Sequence, residues 1–499
     1  MKKTITYALL STALQLIILL AFYNLNEEFN KAPHSVHTWR QCDGASFGLH
    51  YYTYGNSLFY PQFYNIEFSN GEAVSEFPII YWLAAKLSGT SHFQAEWIRY
   101  LSFLFVAIYL LIANAAIFDI IKSYALSFYT AFLPFLSVVF CFYSNNFLPD
   151  VPATCAILTA LSMYYFYVKN SNGLWLMLSL FFFTLAGLLK ITVLVPYFIL
   201  LLAAFIELFL GKKIFHSALI KSYKHAVMLL LPLLLAAAWI VFLKTYNTHY
   251  GSHYFLTKTF PYWELDDYHK SEFWEAFTVR WSDDYFSRVT GKIALIVIVF
   301  SMVIAFVKKR IVGWLLLVFL LLQITITTLF AGQYYIHDYY AIALVSLPII
   351  AYITLFYFLS RKLIWRILLP LIFIPYLISD IFYTKEKLQL RFETKWEDEW
   401  SEKLAKCTPE LEKIGLLKND KILVLGDPSS CISLYTLQRK GWTQMNFYFF
   451  KGIDDIDFMK RHGLAWVVFF PDTRNKFPVW DNMKFKKTIL INGFEFAQL

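Results

Sequence analysis

The chain has 499 residues, of which 58% are hydrophobic, 20% aromatic and only 16% charged. Soluble domains carry about 25% charged residues, so a soluble globular protein is excluded. The net charge is +9, but the basic residues form no continuous stripe of the kind that binds nucleic acid.

Apolar runs of about 20 residues, each long enough to cross the hydrocarbon core, recur along the chain. They predict eleven transmembrane helices, near 4–23, 97–121, 124–142, 149–168, 173–189, 191–210, 226–246, 291–307, 312–330, 339–360 and 363–383. The first run follows Met1-Lys2-Lys3, is longer than the apolar region of a signal peptide and ends in Phe22-Tyr23-Asn24. It reads as a retained helix. The stretch from Phe77 to Leu87 is too short to cross, contains Pro78 and Lys86, and belongs at the membrane interface.

Basic residues are expected on the cytoplasmic side. With the N-terminus inside, Lys2, Lys3, Lys122, Lys169, Lys212, Lys213, Lys221, Lys224, Lys308, Lys309, Arg310, Arg361, Lys362 and Arg366 all fall in inner loops. The first outer loop, 24–96, is acidic instead, and the outer loop 247–290 carries Asp266-Asp267 and Asp283-Asp284. The basic excess thus follows from topology and needs no acidic partner. An odd number of spans places the C-terminus outside.

Residues 1–384 read as the membrane domain, and residues 385–499 change character. Lys385 to Lys406 is charged with apolar residues at helical spacing, which predicts one amphipathic helix. Lys421 to Gly426 and Leu464 to Phe470 read as strands, and Ile432 to Arg439 and Asp454 to His462 as helices. The alternation predicts a small α/β extracytoplasmic domain. Gly426-Asp-Pro-Ser-Ser430 lacks the glycine spacing of a phosphate loop and fits a strand-to-helix turn. None of the five cysteines forms a C-x-x-C pair. Cys407 and Cys431 share this outer segment, where a disulfide between them is possible.

The ionisable residues of the outer side are the candidates for chemistry. Trp39, Arg40 and Asp43 stand in His37-Thr-Trp-Arg-Gln-Cys-Asp43, just past the first span. Glu76 precedes Pro78, Asp150 stands at the outer end of the fourth span, and Lys190 separates the fifth and sixth. His337-Asp338-Tyr339-Tyr340 opens the tenth. Each also has a structural reading. Asp43 and Arg40 could be a surface ion pair, Asp150 a helix-start acid, and Lys190 a snorkelling lysine. Glu76 could be a surface acid, and the His-Asp-Tyr-Tyr run an aromatic belt. Tyr51, Tyr52, Tyr54, Phe59, Tyr60, Phe63 and Tyr64 fit either sugar stacking or packing of interface helices.

The His37-x-Trp39-Arg40-Gln41-x-Asp43 run resembles the first outer loop of bacterial members of the dolichyl-phosphate-mannose protein mannosyltransferase superfamily, which includes the aminoarabinose transferases. Glu76-Phe77-Pro78…Tyr81-Trp82, Pro149-Asp150, Leu189-Lys190, His337-Asp338-Tyr339-Tyr340 and Leu437-Gln-Arg-Lys-Gly-Trp442 are similar to further landmarks of that superfamily, in the same order. The resemblance implies the GT-C fold. It also implies a polyprenyl-phosphate-linked sugar as donor, a glycan, lipid or protein acceptor, and Asp43 as the catalytic aspartate. Phe77 stands where many relatives carry a lysine, so charge at the donor phosphate must be met elsewhere. Arg40, Lys190, His337 and Tyr339 are the groups available for it. Glu76, Asp150 and Trp39 are expected to support the site or position the acceptor. Some relatives bind a metal near the position of Glu76. No metal and no cofactor are assigned here beyond the lipid-phosphate sugar itself.

The expected chemistry is one displacement at the anomeric carbon. Asp43 takes the acceptor proton, cations meet the charge developing on the leaving phosphate, and the configuration inverts. A flippase or transporter of lipid-linked glycans is the alternative from another class, and it would carry charge in mid-helix. A polymerase using a lipid-pyrophosphate donor is a third, expected to concentrate arginines in its large outer loops, whereas 247–290 holds only Arg280 and Arg288. No Asn-x-Ser/Thr sequon occurs in an outer loop, which favours a bacterial inner membrane as the location.

Overall fold

A computed structural model describes residues 2–67, 69–211, 213–214, 218–255, 258–446, 456–476 and 483–499. Among these residues nine helices are long and apolar enough to cross a membrane, and a bent pair makes up to ten. The chain is a multi-pass membrane protein.

The difference from the eleven expected spans lies in two places. The run at 124–142 is not one helix but Tyr124–Leu136 followed by Val138–Ser144, bent by 80°. Pro134 lies in the last turn before the bend, and Ser137 is extended and accepts from the Phe140 amide at 3.3 Å. The carbonyls freed by the break are met by side chains. Thr384 and Cys141 donate to Leu136 and Phe135 at 3.0 and 3.1 Å, as apolar surroundings demand.

The second place is Gly173–Leu189, whose 17 residues reach only about 26 Å at 1.5 Å per residue. It still traverses the same depth as its neighbour Asp150–Asn170. The side chains of Asp150 and Lys190, at the far ends of this helical hairpin, meet at 3.0 Å. A left-handed Ser171 and the Asn172 cap on the Leu174 amide, at 2.9 Å, form the turn between the two helices.

The loop after the first span folds into Thr38–Tyr54 and Ile79–Leu87, the second a nine-residue helix over the stretch that is too short to cross. Beyond the membrane the last span is longer than predicted. Leu363–Arg391 is continuous, and the chain then breaks before Trp396–Ala405. The single amphipathic helix expected over Lys385 to Lys406 is therefore two. Arg391 is drawn into a buried ion pair with Asp338, and Asp398 restarts the helix by accepting from the Lys395 amide at 2.7 Å.

The C-terminal segment is the expected α/β unit, around a five-stranded mixed sheet. The strands are β1 (Lys421–Leu425), β2 (Gly441–Thr443), β3 (Leu464–Phe469), β4 (Lys487–Ile491) and β5 (Phe494–Gln498), in the order β2-β1-β3-β5-β4. β1 is parallel to both neighbours, and β3, β5 and β4 are antiparallel in turn. The sequence pattern showed β1 and β3, which are almost wholly buried apolar runs; β2 is three residues long and β4 is largely exposed. The helix expected over Asp454 to His462 is Ile456–Arg461, and Asp454 lies outside the described residues.

Cys407 and Cys431 are both buried free thiols, so the possible disulfide does not form. Cys407 faces the Ile491 carbonyl and Asn492 in the β4–β5 turn. Cys431 instead follows Ser430, which is bound to the first loop.

This unit is joined to the first outer loop. The Ile66 amide donates to Gly441 at 2.9 Å, the Gly441 amide to Tyr64 at 3.0 Å, and the Trp442 indole to Glu67 at 2.9 Å. Gly441 has φ 158°, and a Cβ there would lie 1.7 Å from the Ile422 carbonyl oxygen. No other residue permits so close an approach.

Candidate active site

The loop after the first span is held from two sides. Arg99, fully buried on Glu96–Ile121, donates to the carbonyls of Lys31, Ala32 and Asn145 at 3.2, 3.2 and 2.6 Å. Asp398 receives the Ser35 amide on both carboxylate oxygens, at 3.0 and 2.9 Å. Between these clamps His37 adopts a left-handed conformation, φ 56°, a strain of about 1–3 kcal/mol that only a well-determined surrounding sustains. Thr38–Tyr54 starts directly after it. Residues three and four apart share a helix face, so Trp39, Arg40 and Asp43 are delivered together to one cavity of about 1090 Å³.

Asp43 is 1% exposed. Its Oδ1 accepts from the Ser430 hydroxyl at 2.8 Å and its Oδ2 from the Tyr254 hydroxyl at 2.9 Å, with Arg40 Nη1 at 3.9 Å from Oδ2. Burial pushes its carboxyl up to about 6 against the pull of Arg40, Ser430 and Tyr254. A carboxylate with this affinity for a proton is suited to general-base work near neutral pH.

Arg40 is bound on its other arm, where Nη2 meets Glu76 Oε2 at 2.5 Å; Ser75 also donates to that oxygen. Burial acts upward on Glu76, but Arg40 and Lys190 outweigh it and hold the carboxyl at about 2. Arg40 Nη1 is buried and has no hydrogen-bond partner among the described residues. The second cation, Lys190, pairs with Asp150 at 3.0 Å and lies over the rings of Tyr340 and Tyr339, 4.2 and 5.5 Å from their centroids. Asp150 is the first residue of Asp150–Asn170, after Pro149 at the N-cap. It fixes the lysine from behind.

His337 stacks on Tyr339 at 5.1 Å and meets His37 edge-on at 5.4 Å. Burial, then the neighbouring His37, push its imidazole down to about 3. It is therefore neutral at pH 7 and offers a hydrogen bond rather than a charge. Asp338 turns to another task. It accepts from Tyr143 at 2.9 Å, is ion-paired with Arg391, and lies 3.4 Å from His37 Nε2.

Of the predicted site residues, Trp39, Arg40, Asp43, Glu76, Lys190, His337 and Tyr339 line this single cavity, and Asp150 stands behind Lys190. The aromatic run from Tyr51 to Tyr64 does not line it. Tyr51, Phe63 and Tyr64 are buried, Phe63 packs on Tyr254 and Phe255, and Tyr60 packs on Tyr246 and Tyr250. They buttress the loop. Phe77 packs on Trp239 and makes no contribution to charge. Ser430 and Tyr254 were not anticipated. Ser430 ends the Gly426–Ser430 turn, which sequence marks only as a strand-to-helix connection; Tyr254 lies in the loop after Leu231–Tyr250, with no motif around it.

The cavity is walled by a first-loop carboxylate, in a bundle of membrane helices followed by a small C-terminal α/β unit. No family model and no curated protein matches the chain by sequence. Its structure is similar to that of ArnT from Cupriavidus metallidurans in the apo state, with a TM-score of 0.51 at 10% identity over 99% of this chain and 98% of that one. It is also similar to the Archaeoglobus fulgidus oligosaccharyltransferase in the apo form, with a TM-score of 0.56 at 11% identity over 92% of this chain and 69% of that one.

Proposed function

We propose that this protein is a membrane glycosyltransferase that moves a sugar from a polyprenyl-phosphate donor to an acceptor hydroxyl with inversion at the anomeric carbon. The observation that carries the reading is the pairing, in one cavity wall, of a proton-seeking carboxylate, Asp43, with a guanidinium, Arg40, whose Nη1 lies 3.9 Å from it and makes no hydrogen bond among the described residues.

The acceptor oxygen attacks the anomeric carbon while Asp43 takes its proton. The bond from that carbon to the phosphate oxygen breaks, and the electron pair leaves with the lipid phosphate. Arg40 Nη1 donates a charge-assisted hydrogen bond to a phosphate oxygen, and Lys190 supplies a point charge. Glu76 keeps Arg40 charged and oriented, Asp150 does the same for Lys190, and Tyr339 and neutral His337 donate hydrogen bonds. Trp39, half-exposed at the rim, offers its ring to a sugar or a lipid. The reading places the site at the outer face of a bacterial inner membrane, with the N-terminus cytoplasmic and the C-terminal domain periplasmic. The lipid-linked donor fits that side, where nucleotide sugars are absent.

The test is donor choice. Purified protein in liposomes is offered radiolabelled sugars on polyprenyl phosphate, on polyprenyl pyrophosphate and on a nucleotide, with a mixed envelope extract as acceptor. Transfer from the monophosphate alone supports the proposal. Transfer only from the pyrophosphate, or movement of the intact lipid between leaflets without transfer, overturns it.

A further inference from the structure

Among the described residues, the C-terminal domain hydrogen-bonds to Asp43 through Ser430. Ser430 is fully buried, and its hydroxyl donates to Asp43 Oδ1 at 2.8 Å, across 387 positions of sequence. The turn that presents it is built to be stiff. Asp427, also fully buried, accepts the amides of Ser429 and Ser433 at 2.7 and 2.9 Å. These donors are spent within the turn, so it is not a phosphate loop. Gly426, φ +111°, sits where a Cβ would come within 2.4 Å of Phe470, and its amide is held by Gln444 at 2.8 Å. From the membrane side Asn65 donates to the Ser430 carbonyl at 2.7 Å. The seryl hydroxyl is thus fixed relative to both the sheet and the first loop.

Resting on the transferase reading, we propose that the C-terminal domain is a working part of the site and that Ser430 is a positioning residue for the base. Its hydrogen bond holds Oδ1 and so fixes the Asp43 rotamer in which Oδ2 meets Tyr254 and Arg40, and it stabilises the carboxylate form. Asp43 is within electrostatic reach of Arg40 on its own helix, Glu76 on the following loop, Tyr81 on Ile79–Leu87, Tyr254 on the loop after Leu231–Tyr250, and Cys431 next to Ser430. Of these, Arg40 and Tyr254 pull its proton affinity down alongside Ser430, and Glu76 pushes it up. The thiol and the phenols stay protonated because burial drives them upward.

The test compares Ser430→Ala and Ser430→Thr with wild type in the full chain, measuring single-turnover transfer across pH together with KM for the donor. Loss of a hydrogen bond to a charged group corresponds to about a tenfold or greater fall in rate. The expected result for Ser430→Ala is that fall, an upward move of the acid limb and an unchanged donor KM, with the limb restored in Ser430→Thr. A variant that merely loosened the fold would scale the rate at every pH and leave the limb in place. That outcome, or full activity in Ser430→Ala, overturns the inference. If wild type itself transfers no sugar from the polyprenyl-phosphate donor, the transferase reading fails; if wild type transfers and Asp43→Asn keeps the same rate, Asp43 is not the base and the positioning role of Ser430 falls with it.

Discussion

Replacing Glu76 by Gln is expected to make Asp43 a stronger acid, and the sign of that shift separates electrostatics from damage. Arg40 is shared between the two carboxylates, at 2.5 Å from Glu76 and 3.9 Å from Asp43. Glutamine keeps an acceptor oxygen for the guanidinium but removes the negative charge that opposes ionisation of Asp43. Two carboxylates on separate arms of one guanidinium lie roughly 6–7 Å apart, where a like charge is worth about 2–3 kcal/mol at an effective dielectric near 20. That corresponds to about one to two pKa units. The working form of Asp43 is the carboxylate, so transfer is present above its pKa and falls tenfold per pH unit below it. In wild type the acid limb is expected near pH 6; in Glu76→Gln it should move down to about pH 4–5. A polyprenyl-phosphoryl sugar is a phosphodiester and adds no titration in this range. The assay is single-turnover transfer between pH 4 and pH 8. A limb that stays put or moves upward would refute the placement of Asp43 as base and of Glu76 as its electrostatic counterweight.

Two further outcomes follow from buried pairs and close contacts. Lys190→Met strands the carboxylate of Asp150, which is 3% exposed; breaking such a pair costs about 3–5 kcal/mol, visible as a loss of thermal stability in detergent. Adding Asp150→Asn should recover most of that stability without restoring donor affinity, and recovery of both would assign Lys190 a purely structural role. Gly441→Ala forces a Cβ onto the Ile422 carbonyl and should detach the first loop from the edge of the sheet. Limited proteolysis should then cut near residues 64–67, and an unchanged cleavage pattern would contradict the account of that junction.

The membrane architecture was legible because hydropathy alone dictates it, and the places where it misled are those where side chains overrule the period. Tyr124 to Ser144 is apolar throughout, yet Pro134 and the extended Ser137 bend it. The amphipathic spacing after Lys385 is real, but it could not foresee that Asp338 would hold Arg391 and end the helix there. The site was legible in part because common sidedness gathers Asp43, Glu76, Lys190 and His337 before any fold is known. The pairing among them was not: nothing in the spacing says that Asp150 serves Lys190 or that Glu76 serves Arg40. Ser430 and Tyr254 were hidden for a simpler reason. Each reaches Asp43 from a distant segment, and a single hydroxyl in a turn or loop carries no local signature.

The central claim is tested most directly by comparing wild type with Asp43→Asn for transfer of labelled sugar from a synthetic polyprenyl-phosphate donor, at equal amounts of folded protein. The account predicts a product of inverted anomeric configuration in wild type and a loss of about 10²–10⁴-fold in Asp43→Asn, the range expected for a missing general base. Equal rates in the two proteins, or a product that retains the donor's configuration, would contradict it.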